Sequence, residues 1–317
     1  MGAVREFIAR IPVPVCGLAL ALASLDTFFS QQYDFYKFSI CVIISAILII
    51  LFTLKAVFNF SGLRSEIENP VVFGVLPTYC MALMLLSSHA YKYVGQSAVV
   101  IWASAVILSF VMMIFFVKKF VLNFEMKNVF PSWFVMFIGF TAASVTSPVF
   151  GMETIGKIIL SAGFISYFVV TPVILYRVIR IKEMPEPSIP NIAIFAAPMN
   201  LCMVGYFAIF GTDVNGALIA LMTAIGMVSY VAVLLYLPLM LRIKFYPSYA
   251  AFTFPLVISM VSIQRLGVYY GIKDNAIFSA TQMFTVMIAV LIVAYVLIRF
   301  LIMFYGTAKE IRKDAHA

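Results

Sequence analysis

Phe252-Thr253-Phe254-Pro255 sets an aromatic ring directly before a helix-breaking proline inside a long apolar run. Similar breaks fall at Pro14, Pro77 and Pro198, each within an apolar segment. A proline removes a backbone N–H and clashes with the carbonyl one turn back, so carbonyl oxygens at these positions are left to find other donors. The same segments carry Gly17, Thr78, Thr141, Ser144, Asn200 and Thr253. Hydroxyls, exposed carbonyls and aromatic faces hold an ion weakly enough to release it, which is the chemistry of passage rather than of bond making. In a helix, Phe252 and Phe254 project about 200° apart, so only one of them can face a given axis.

Bond-making chemistry has little to work with. The chain holds two histidines, His89 and His316, and four cysteines, Cys16, Cys41, Cys80 and Cys202, none in a CxxC pair. No metal centre, haem or disulfide is expected from that inventory, and no cofactor. Asp26, His89 and Arg265 fall near span ends, where a charged head can reach water. No acid sits at mid-depth in the proline-bearing spans, which argues against strong proton coupling. The expectation is therefore a protein that is not an enzyme.

The elements that carry these residues are set by hydropathy. Of 317 residues, 64% are hydrophobic and 11% charged, more apolar surface than a soluble core can hide. Apolar windows predict an all-α integral membrane protein, 1–317 as a single domain. Ten spans are read near 11–29, 36–58, 71–90, 97–117, 131–147, 155–178, 191–210, 217–240, 249–267 and 278–304. Residues 4–24 imitate a secretory leader but read as the first span, because equivalent segments follow throughout.

An even number of spans divides the loops into two sets. One, with both termini, carries sixteen Lys and Arg; the other carries Lys37, Lys92, Lys157, Arg265 and Lys273. The positive-inside rule puts both termini in the cytoplasm. This asymmetry accounts for the net charge of +8, which faces lipid headgroups and implies no nucleic-acid partner. The run Arg177, Arg180, Lys182 reads as a headgroup anchor after span 6, and the stretch 63–68 as a solvated segment.

Pro14, Pro77, Pro131, Pro198 and Pro255 follow one another at 63, 54, 67 and 57 residues, about one helical hairpin each. That recurrence predicts five hairpin repeats whose first helices are broken. Breaks are tolerated where protein or a water-filled cavity covers them, so the odd spans are expected as an inner ring of five kinked helices, with the even spans outside.

In order and spacing, these motifs resemble the tellurite-resistance/dicarboxylate transporter family, which includes TehA-like bacterial proteins and the plant slow (S-type) anion channels. The resemblance is carried by Pro12-Val-Pro14 with Gly17, by Asn69-Pro70-Val71, by Pro131-Ser132-Trp133 with Gly139 to Ser144, by Ala197-Pro198, and by Phe252-Thr253-Phe254. It implies a central pore lined by the five kinked helices, a homotrimer, and a bacterial inner (plasma) membrane location. It also implies a plug at Phe254 and a pore glycine at Gly17. Pro14, Pro77, Thr141, Pro198, Thr253 and Pro255 are expected as kink or lining residues. The expected function is a gated channel for small inorganic or organic anions, with membrane lipids as surroundings. The alternative is a secondary carrier or exporter of C4-dicarboxylate, sulfite or tellurite-type oxyanions.

Overall fold

The computed structural model describes residues 2–32 and 40–314. Lys37, His316 and the start of the second expected span lie outside the described residues. The described chain is helical, with no strand. Its α-helices are α1 (Gly2–Ala9), α2 (Val15–Gln32), α3 (Ile40–Phe58), α4 (Phe60–Glu66), α5 (Pro70–Val75), α6 (Thr78–Val94), α7 (Gln96–Phe116), α8 (Trp133–Ile138), α9 (Ala142–Thr146), α10 (Glu153–Tyr176), α11 (Pro198–Phe210), α12 (Gly216–Met240), α13 (Thr253–Tyr269) and α14 (Ala276–Asp314).

Among the described residues, nine segments are long and apolar enough to cross a membrane. The remaining expected span, α2, is a single helix of 18 residues, but its last turns carry Asp26, Ser30, Gln31 and Gln32, which dilute its hydropathy below the others. Thirteen of its residues are buried.

Burial separates the spans into two populations. The windows in Pro70–Val94, Trp133–Phe150, Glu186–Phe210 and Pro247–Tyr269 are 67–78% buried, whereas the other five are 22–33% buried. Neighbour contacts close the buried set into a ring, α2 on α6, α6 on α9, α9 on α11, α11 on α13 and α13 back on α2. Each of α3, α7, α10, α12 and α14 packs on its own hairpin partner and on the next helix of the ring. Their outward faces are apolar, as with Ile43, Ile47 and Ile50 on α3, which in water would be an aggregation surface and in lipid is matched solvent.

The inner helices are interrupted as the prolines require. Pro14 and Pro77 immediately precede α2 and α6, Pro198 opens α11, and Pro255 is the third residue of α13. Proline thus occupies first turns, where the N–H it lacks would have no intrahelical partner. Stretches of 3-10 helix, Glu186–Ala196 and Pro247–Phe252, lead into α11 and α13, and Gly139–Thr141 joins α8 to α9.

Polar ties cross between the layers. Ser45 Oγ on α3 donates to Ala19 O on α2 at 2.7 Å, and Trp102 Nε1 on α7 donates to Thr146 Oγ1 on α9 at 2.8 Å. Trp102→Phe loses this donor together with the five-membered ring of a buried indole. The bond accounts for about 0.6 kcal/mol of the expected cost, with ~1.7 as an upper bound for such bonds in membranes, and the cavity adds to it. The sum should show as a lower thermal midpoint in detergent; an unchanged midpoint would make both the bond and the packing energetically silent.

The last helix is longer than the expected span. At 39 residues it extends roughly 58 Å, about twice a bilayer core. Its extra turns pack on α1, with Phe7 and Phe304 rings 5.9 Å apart and Arg10 paired to Glu310 at 3.4 Å.

Candidate anion pathway

All five inner helices begin at the same end of the ring, and between those beginnings lies a cavity of about 280 Å³. Its wall takes residues from the first turns of each: Pro14 and Gly17 from α2, Val75 and Thr78 around α6, Val135 and Ile138 from α8, Pro198 and Leu201 from α11, Phe254 and Pro255 from α13. The mouth is polar, with Glu66, Asn69, Ser188, Tyr246 and Ser248. No lining residue lies further along any inner helix than Gly17, Met81, Gly139, Leu201 or Pro255, so these and Phe254 form an apolar floor.

Phe254 is 6% exposed and, among the described residues, makes no aromatic pair. Phe252 differs on both counts: it is fully buried and sits edge-on to Tyr249 at 4.9 Å. The two rings diverge as the helical rotation requires, and Phe254 is the one that reaches the cavity.

Of the other expected residues, Pro14, Gly17, Pro198 and Pro255 line the cavity, and Pro77, Thr141 and Thr253 do not. The hydroxyls are spent on the backbone. Thr141 Oγ1 donates to Ile138 O at 2.6 Å, Thr253 Oγ1 to Ala250 O at 2.7 Å, and Thr78 Oγ1 to Val75 O at 2.8 Å. Each acceptor stands at a break in an inner helix, and Ala250 O takes the Thr253 backbone N–H as well as its hydroxyl. Asn200 serves the same end between helices: its Nδ2 donates to Ala196 O at 2.7 Å and its Oδ1 accepts from Ser262 Oγ at 2.7 Å. Gly226 of α12 permits this, since a Cβ there would lie 2.7 Å from Asn200 Oδ1.

The charges near span ends are also more engaged than an edge position implies. Asp26 is 4% exposed and its Oδ2 lies 3.0 Å from His89 Nε2, tying α2 to α6 beyond the cavity floor. Arg177 is buried, its Nη2 donating to Glu183 O at 2.5 Å, so only Arg180 and Lys182 of that run are free to face headgroups. Lys55, one of the sixteen basic residues assigned to the cytoplasmic side, is buried in the last turn of α3 against Glu66, and that glutamate faces the cavity instead of forming part of a solvated stretch. Sequence reasoning missed this pair because its members are brought together only by the return of α4. Among the described residues, no three His, Cys, Asp or Glu cluster as metal ligands would.

The arrangement suits an ion in passage. Five inner helices begin around one cavity, and its floor offers no group that would hold an ion tightly. No curated protein matches the chain. The family model for the voltage-dependent anion channel, SLAC1, matches residues 11–303, which span the whole helical ring from the residues before Pro14 to the last outer helix, and the chain belongs to that family.

Proposed function

We propose that this protein is a gated, uncoupled channel for small anions, whose path runs through the inner ring and is closed by Phe254. The observation that carries the proposal is the unstacked Phe254 ring at the apolar floor of a cavity set among the starts of the five inner helices. An apolar constriction stops ions by excluding their water, and a single ring moving between rotamers opens it. In this reading α2 is a tenth span, both termini face the cytoplasm, and the cavity mouth is cytoplasmic, where the basic loops gather. The protein works in a bacterial inner membrane as a homotrimer, one pore per protomer. Pro14, Gly17, Pro198 and Pro255 shape the path, while Pro77, Thr141 and Thr253 stabilise the breaks.

The buried Asp26–His89 pair supports a second reading, a carrier of dicarboxylate, sulfite or tellurite-type oxyanions that uses the pair as a proton site. Anion flux into proteoliposomes separates the two. Flux driven by membrane potential and indifferent to an imposed pH gradient is expected; accumulation that requires the pH gradient, and is lost in His89→Ala, would establish the carrier.

A further inference from the structure

The cavity has one ionisable carboxylate or ammonium in its lining among the described residues, and for an anion path it has the wrong sign: Glu66. A bare carboxylate at the mouth of a low-dielectric passage repels the ion the passage carries. Lys55 stands behind it. The Lys55 side chain is 1% exposed, against 37% for Glu66, and its Nζ lies 2.5 Å from Glu66 Oε1. The same ammonium donates to Ile11 O at 2.5 Å, in the segment leading to Pro14 and the cavity wall. A lysine that merely anchored α3 would extend its head to the interface, as the exposed Lys118 can at the end of α7. Lys55 turns inward instead, from an outer helix toward the pore.

Resting on the channel reading, we infer that Lys55 determines charge selectivity: it neutralises Glu66 from behind, so the mouth presents no net negative charge to an entering anion. The pair acts as one unit whose net charge decides whether small anions or alkali cations enter. Removing either member unmasks the other, with opposite consequences. Glu66→Gln leaves the ammonium uncompensated beside the path. Lys55→Met leaves the carboxylate.

The test is the reversal potential of the Phe254→Ala protein in asymmetric KCl, read as the chloride to potassium permeability ratio. Glu66→Gln in that background should raise the ratio and Lys55→Met should lower it. Each change is on the order of tenfold, the effect of one charge about 10 Å away at an effective dielectric of about 20. The double variant Lys55→Met with Glu66→Gln should return to the parental ratio. Both shifts should shrink at 1 M salt, where screening acts over about 3 Å. A merely structural ion pair predicts something else: lower thermal midpoints and smaller currents in both single variants, with the ratio unmoved. Unmoved ratios, or shifts in the same direction, overturn the role of Lys55 and leave the channel reading intact. Should Lys55→Met fail to fold, Lys55→Gln takes its place, since it removes the charge while keeping a donor for Ile11 O, and its ratio must fall. A Phe254→Ala protein that passes no ion overturns this inference together with the channel reading.

Discussion

Phe254→Ala is expected to convert a nearly silent protein into a steadily conducting one. The ring is 6% exposed at the cavity floor, so opening the native path means moving it out of packed surroundings. Exposing a buried phenylalanine costs about 1.5–3 kcal/mol. If that displacement dominates the barrier, truncation raises anion current by roughly 10- to 150-fold, at about 1.4 kcal/mol per decade. Planar-bilayer recordings of purified protein read this directly. Phe254→Leu, which keeps apolar bulk without the ring, should conduct at an intermediate level. Phe252→Ala is the control: its ring is fully buried against Tyr249, so truncation should lower the thermal midpoint and leave the current near background. Equal currents in Phe254→Ala and the parent would remove the ring from the gate.

The two-ring plan was legible because lipid imposes it. A helix facing hydrocarbon must be apolar around most of its circumference, and the outer segments show mean hydropathies of 2.2–2.8 against 1.5–1.9 for the inner ones. The inner segments carry the Pro, Gly, Ser and Thr that lower those values, and these are the residues whose recurrence marks the five hairpins. Direction was not legible. A threonine beside a proline break can face a path or turn back on its own helix, and the sequence is the same in both cases. Thr253 and Thr141 turn back because both are fully buried, and a buried hydroxyl without a partner is costly, whereas a carbonyl three residues back is within reach. Lys55 was hidden for a different reason. Its partners, Ile11 O and Glu66, lie 44 residues before it and 11 after, and no periodic pattern links such positions.

Thr141 supplies the second large effect, a structural one. Its hydroxyl holds Ile138 O, which points its methyl outward to α10, where the Cβ of any residue replacing Gly163 would lie 2.0 Å from Thr141 Cγ2. Real atoms do not approach so closely, and neither side yields easily. Thr141 is fully buried with a stiff, branched side chain, and Gly163 is in the middle of a 24-residue helix. Gly163→Ala must therefore push α10 away from the inner ring, at a cost of about 1–3 kcal/mol despite alanine's better helix propensity. The thermal midpoint of the detergent-solubilised protein should fall accordingly. Thr141→Ser removes the obstructing methyl and keeps the hydroxyl on Ile138 O, so Gly163→Ala combined with Thr141→Ser should recover most of the loss. Recovery by serine but not by valine would show that the hydroxyl serves the broken backbone while the methyl sets the distance between the rings. If serine gives no recovery, the contact between Thr141 and Gly163 does not fix how closely α10 sits on the inner ring.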